Sequence, residues 1–308
     1  MNPRHDLPAV VQLIELGFGQ ELDPVGWKML EQLQRVARGS VWAHLLLGNA
    51  VSPSGYVWTE RGEIVGNLSL RRAAPRWQEG WMIGNVVVHP DFRRRGIGRA
   101  LMKRALETTE AQDARWVGLE VRADNDVARG LYEALGFRGV GQTWHLIHPP
   151  GAPWPTLPVP APLWRPSHPE DAHLWSHLAG RIYGRRQRDV VEVRPSLYTF
   201  GGWERKIERW LRGQREWAWL EDAESPHYAV HVQTDKRHRF HDWDLLLHPE
   251  EGEAAARETV ARAFSTLGHR RGWDVITIVE EQSALIPILQ TLGFQRHRVL
   301  LQMVLDLR

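Results

Sequence analysis

Cysteine is absent from the 308 residues. That excludes disulfides, thiolate metal sites and any covalent chemistry on a cysteine nucleophile. Long apolar runs are missing too. The longest, Val41 to Val51, is interrupted by His44 and Asn49 and is too short to cross a bilayer. The N-terminal stretch MNPRHDLPAVVQL has no apolar signal core. There is also no strong charge imbalance: 39 Lys+Arg against 37 Asp+Glu leave +2 with His neutral. An excess that small does not point to nucleic acid, which needs positive charge gathered on one face. What is present is a globular composition, 43% hydrophobic and 25% charged. A cytoplasmic enzyme or binding protein, with no membrane and no nucleic-acid partner, is the expectation. The 16 tryptophans either pack a core or line an aromatic pocket, and packing is the simpler reading.

The length suits two domains. The run HPPGAPWPTLPVPAPLWRP, His148 to Pro166, contains eight prolines. It cannot hold a helix and reads as an extended, stiff connector. The predicted organisation is therefore a domain at 1–148, a proline-rich linker at 149–166 and a second domain at 167–308. The two halves resemble each other. VVVHP at Val86 to Pro90 is matched by LLLHP at Leu245 to Pro249, 159 positions later; LGF at Leu135 to Phe137 is matched by LGF at Leu292 to Phe294, 157 positions later. Order and near-constant spacing mark an internal repeat.

In the first half, periodicity predicts helices over Leu7–Leu16 and Val25–Val36. Strands are expected at Tyr56–Thr59 and Ile64–Leu70 around Arg61-Gly62, and at Trp81–Val88. A helix follows from Ile97 to about Glu110, with Ile97, Leu101 and Ala105 on one stripe. A strand at Trp116–Val121 comes next. A helix at Asp126–Leu135 is capped by Asp124 or Asn125 and stopped by Gly136. A final strand covers Val140–Ile147. The fold class is a mixed α/β sheet flanked by helices.

The junction VVVHPDFRRRGIGRAL carries the chemistry. Amides at a helix start have no internal partner, and the helix dipole makes that end positive. Gly96 and Gly98 have no Cβ to keep an anion away. With Arg93, Arg94 and Arg95 they form either a pyrophosphate cradle or simply a basic tight turn.

The span Ile83 to Gly139 resembles the GCN5-related N-acetyltransferase (GNAT) superfamily. The resemblance rests on Arg93-Arg94-Arg95-Gly96-Ile97-Gly98 and on Asn125, Ala128, Tyr132, Gly136 and Phe137 in NDVARGLYEALGF. It implies two tandem GNAT-like sheets, with acetyl-CoA as co-substrate and no metal. It also implies that Val86, Val87 and Val88 bind the pantetheine arm and acyl carbonyl through their backbone, and that amides from Arg94 to Arg99 hold the pyrophosphate. Asn125 would contact the cofactor near the pantetheine, and Tyr132 would protonate the leaving thiolate. Direct transfer to an amine needs a neutral amine, a stabilised oxyanion and a protonated thiolate. Tyr132 also has a packing reading, on the i+4 face from Ala128. Many relatives carry a carboxylate on the strand before His-Pro. Here Ile83-Gly84-Asn85 stands there, and Asn85 can position a water but cannot take a proton. Glu79, His89, Glu120 and His145 are candidate bases.

The second half lacks these features. Glu250, Glu251 and Glu253 replace the arginines, no glycine pair opens the helix, Pro287 falls in the next helical stretch, and Leu289 stands in the place of Tyr132. Carboxylates there would repel a pyrophosphate, so no acetyl-CoA binding is expected in this half. His227, His231, His238 and His241 are spaced like strand residues rather than a zinc set. The basic run Lys236 to Arg239 reads as a hairpin turn. The amphipathic stretch with Trp203, Ile207, Trp210 and Leu211 on one side reads as core or inter-domain packing. The predicted function is acetyl transfer to a primary amine, on a small molecule or a protein, by direct attack in a ternary complex. A non-catalytic acyl-CoA sensor is the alternative.

Overall fold

A computed structural model describes residues 3–38, 54–73, 79–158, 163–200, 202–268 and 272–307. The apolar run Val41 to Val51 lies outside them. The chain divides into two compact units, one of residues 1–120, 127–138 and 303–308, the other of residues 121–126 and 139–302. The C-terminal residues thus cluster with the first unit, and most of the strand expected to close the first half clusters with the second.

The first unit opens with helices α1 (Pro3–Phe18) and α2 (Pro24–Arg38). Leu7, Val10, Val11 and Ile14 recur at helical spacing and are buried. They pack with Leu13, Leu30 and Val87 into one core. Strands β1 (Gly55–Glu60), β2 (Glu63–Arg72) and β3 (Gly80–Val88) run antiparallel in turn. Helix α3 (Ile97–Glu110) then leads to β4 (Trp116–Arg122), which pairs in parallel with β3. Ile97, Leu101 and Ala105 are buried, and Ile97 and Leu101 meet β2 at Gly66. Helix α4 (Asp126–Glu133) ends at Gly136, whose φ of 91° is the left-handed conformation that closes such a helix. The chain end returns to this unit. Leu307 N donates to Arg115 O at 2.9 Å, and Arg138 pairs with Asp306 at 2.7 Å.

The second unit contains β5 (Arg138–His148) from Gly139 on, β6 (Trp164–Pro166), β7 (Gln214–Glu221), β8 (Tyr228–Asp235), β9 (Phe240–Leu247), β10 (Asp274–Glu280) and β11 (Gln295–Asp306) as far as Gln302. Their order is β11-β5-β10-β9-β8-β7-β6. β10 runs parallel to β9 and antiparallel to β5. Helices α5 (Ala172–Ile182), α6 (Arg185–Val190), α7 (Trp203–Leu211), α8 (Glu253–Leu267) and α9 (Leu285–Thr291) accompany the sheet. Pro287 sits in the first turn of α9, where its missing N–H costs no helical bond. Within the proline-rich run, the described residues 149–158 pack against the second unit's core. Trp154 meets Phe264 edge-on at 4.8 Å, and Leu157 packs on the same core. Lys236 to Arg239 form the turn between β8 and β9.

One packing expectation fails. The stripe on α7 faces outward, with Ile207, Trp210 and Leu211 at 50%, 73% and 72% exposure; the Trp203 side chain lies outside the described residues. The other face holds the helix down, because Arg205 and Arg209 pair with Glu216 of β7. Periodicity reveals that a helix has two faces. The ion pairs decide which one meets the sheet.

Candidate functional site

The site is built from a strand that leaves its sheet early. β3 and β4 pair from Gly80 opposite Trp116 to Ile83 opposite Leu119, while β3 runs on to Val88. On its other edge β3 carries a bulge. Gly84 stands opposite Ser69 and Val87 opposite Asn67, so Asn85 and Val86 both face Leu68. Asn85 has φ 50°, a conformation rare for any residue with a Cβ. Its carbonyl accepts from Asn67 Nδ2 at 2.9 Å, and its own Nδ2 donates to Ser69 Oγ at 3.2 Å. Asn85 and Val86 therefore have no register partner on either neighbouring strand.

The turn after β3 is shaped for close approach. His89 N donates to Val65 O at 2.8 Å, and His89 Nδ1 accepts from Asp91 N at 3.4 Å. His89 ends the strand and caps the turn. Arg93 Nε reaches back to Val88 O at 3.1 Å, and Arg95 donates to Asp91 O at 3.0 Å. Arg94 and Gly96 both have positive φ, 62° and 81°. Nothing lies within 4 Å of a Cβ built on Gly96. Gly96 supplies the N-cap of α3, and Ala100 N donates to Gly96 O at 3.0 Å. The amides of Ile97, Gly98 and Arg99 precede that first helical bond. Arg93, Arg94, Arg95 and Arg99 are exposed. A Cβ on Gly98 would meet Leu131 Cδ2 at 3.6 Å and Val88 Cγ2 at 3.9 Å. The end of β3, the start of α3 and the middle of α4 thus converge at Gly98.

Tyr132 follows Leu131 on α4. It is buried, packs against Phe137 at 6.1 Å, and burial pushes its hydroxyl up to about 12. That group keeps its proton throughout the neutral range. Asn125 is exposed in the segment 121–126, which clusters with the second unit, and its amide donates to Arg122 O at 3.0 Å. Beside it Asp124 forms a two-point pair with Arg122, which holds its carboxyl below the usual range. Of the candidate bases, Glu79 is paired with Arg115 at the start of β3, and His145 is buried in the second unit. Glu120 is the first residue of β4 past the last parallel pair, and it is exposed.

The second unit offers an internal comparison. β9 pairs in parallel with β10 from Phe240 opposite Asp274 to Trp243 opposite Thr277, the same four-pair extent. Phe294 N donates to Leu289 O at 3.0 Å, as Phe137 N does to Tyr132 O at 3.1 Å. Gly293 repeats the positive φ of Gly136, at 95°. The differences fall on the cradle. β9 has 8 residues against 9 in β3, and its ladder with β8 is unbroken. Gly252, before α8, has an extended φ of −99°. Glu251 pairs with His227 at 2.7 Å. Leu289 is buried where Tyr132 stands in the first copy. The other histidines satisfy local partners: His231 meets Asp244, His238 meets Asp235, and His241 meets Thr234. Among the described residues no group of three or more His, Cys, Asp or Glu is arranged to hold a metal, and no helix is long and apolar enough to cross a membrane.

Residues 25–137 match the acetyltransferase (GNAT) family model. The chain is 47% identical over 53 residues to the [ribosomal protein bS18]-alanine N-acetyltransferase of Salmonella typhimurium, which covers 17% of this chain and 36% of that protein. The chain therefore spans about a third of the length of the curated relatives it first matches. It is 26% identical over 231 residues to the mycothiol acetyltransferase of Salinispora arenicola, covering 68% of this chain and 69% of the relative. Among solved structures, a tandem GNAT protein from the clavulanic acid biosynthesis pathway superimposes with a TM-score of 0.61 at 20% identity, covering 99% of this chain and 97% of that one. A GCN5-related N-acetyltransferase from Sphaerobacter thermophilus gives a TM-score of 0.64 at 17% identity, covering 98% and 93%.

Proposed function

Because residues 25–137 belong to the acetyltransferase (GNAT) family and the chain has the tandem fold of that superfamily, we propose that the first copy transfers an acetyl group from acetyl-CoA to a primary amine. The observation that carries this reading is the difference between the copies. The bulge, the left-handed turn at Arg94 and Gly96, and Tyr132 occur together in the first copy and are all missing from the second.

The residues fit the co-substrate. The open space at Gly96 and the amides of Ile97, Gly98 and Arg99 suit a pyrophosphate. The arginines add charge there. Val86, Val87 and Val88 offer backbone to the pantetheine arm and the acyl carbonyl. Asn125, at the start of α4, would contact the pantetheine. Acetyl-CoA supplies the activated acyl group; the chain orients it and manages protons. The acceptor nitrogen attacks the acyl carbon, and the carbon–sulfur bond breaks. Tyr132 gives its phenolic proton to the departing sulfur. Glu120, at the mouth opened between β3 and β4, takes the proton lost by the nitrogen, directly or through a water that Asn85 positions. With no cysteine in the chain, no acetyl-cysteine intermediate can form, which favours direct transfer between the two bound substrates. The acceptor is an amine on a small molecule or on a protein; the bS18-alanine relatives support an amino group in general. The second copy, with Glu250 and Glu251 at its turn, is a fold-bearing partner that does not bind acetyl-CoA.

The test is an amine panel followed by release of free CoA, alongside melting with acetyl-CoA. Acetyl-CoA is expected to raise the melting temperature, and Gly98→Glu to abolish the rise. An unchanged melting temperature in the wild type would sink the reading. Binding without turnover across the panel would favour a sensor.

A further inference from the structure

The bulge in β3 is an insertion relative to the second copy, and its position can be read from strand registers alone. Gly80 begins the parallel pairing in one copy and Phe240 in the other. His89-Pro90 and His248-Pro249 end the two strands. Between these marks the first copy has one residue more. The same registers align the neighbouring strand. Asn67 stands opposite Val87 and Ala229 opposite Leu246, while Ser69 stands opposite Gly84 and His231 opposite Asp244. Where the ladder is bulged, the strand beside it carries Asn67. Where it is regular, the same position is Ala229.

Asn67 is fully buried. Its Nδ2 takes the Asn85 carbonyl at 2.9 Å, and its Oδ1 has no hydrogen-bond partner among the described residues. Burying an amide with half its capacity unmet costs stability that an alanine would not. Stability of the sheet therefore does not account for the residue. We propose that Asn67 is a positioning residue that holds the β3 bulge open, so that Val86 presents its unpaired backbone to the acyl carbonyl. A carbonyl turned off the ladder at φ 50° needs a donor. Asn67 provides one from inside the sheet, where water cannot compete. The inference rests on the acetyltransferase reading.

Two variants of the full chain test it. Asn67→Ala is expected to keep the melting shift given by CoA, whose pyrophosphate is held by the turn at Arg93 to Arg99. Its kcat is expected to fall by about 10- to 100-fold, approaching the loss of one oxyanion donor. Asn67→Asp keeps the shape but donates to the Asn85 carbonyl only when protonated. Its kcat relative to wild type is therefore expected to rise as pH falls, a signature that mere packing would not give. A kcat within twofold of wild type for Asn67→Ala overturns the inference. So does loss of the CoA shift together with cooperative unfolding, since that is the behaviour of a structural residue. A wild type that neither binds acetyl-CoA nor releases CoA overturns the activity itself. A working wild type matched by its variants overturns the role of Asn67 alone.

Discussion

Gly17, at the end of α1, and Val87, directly after the β3 bulge, touch so closely that a Cβ on Gly17 would overlap the Val87 side chain. The missing Cβ lets α1 lie directly on the strand proposed to hold the acyl group. Gly17→Ala forces one of them to move. The expected result is a loss of about 1–3 kcal/mol in urea unfolding and a smaller melting shift with acetyl-CoA. Unchanged stability and an unchanged shift would mean that α1 yields without disturbing the strand.

Tyr132→Phe separates packing from proton donation. The ring stays, so the melting temperature and the KM for acetyl-CoA are expected to hold. Removing the acid is expected to lower kcat by about 10²- to 10⁴-fold, read as CoA release at saturating amine. An undiminished kcat would remove Tyr132 from the acid role.

Glu120→Gln addresses the base. Activity is expected to fall most with strongly basic amines, which arrive protonated, and least with amines already neutral at the assay pH. The loss is expected to follow the basicity of the amine across the panel. An equal loss across the panel, or none, would assign the base elsewhere.

His231 gives the second unit a pH dependence of its own. It is buried and stacks on Phe200 at 4.3 Å, with Asp244 at 2.8 Å from one ring nitrogen and Glu216 at 3.3 Å from the other. Burial alone would discharge it, but the two carboxylates win and raise it from 6.5 to about 9. A folded value above the unfolded one means the stabilisation is complete below about pH 6.5 and is lost as pH rises towards 9. The urea midpoint is expected to decline over that window, and His231→Gln should flatten the decline. An equal slope in both proteins would refute the assignment.

Much of the candidate site could be proposed from sequence because its parts are local. Gly96 and Gly98 at a strand-to-helix junction, and the spacing from Asn125 to Phe137, depend only on neighbours along the chain. The repeat was legible for the same reason, since His-Pro and Leu-Gly-Phe each terminate an element. Asn67 left no such signal: an asparagine in a strand gains meaning only when the register places it beside Asn85. Glu120 could be singled out only once the last parallel pair was known to be Leu119 with Ile83.

The elements of the first half, the two copies and the lack of arginines and paired glycines at the second turn could all be read along the chain. Helical period, strand alternation and turn residues are short-range properties, and they survive being read in a line. That the chain end joins the first unit, that Trp154 packs on the second core, and that Ile207, Trp210 and Leu211 face outward emerged from the folded chain. The bulge at Asn85 belongs with these. Strand pairing and ion pairs join residues far apart in the chain, and a one-residue offset between two strands exists only once both are in place.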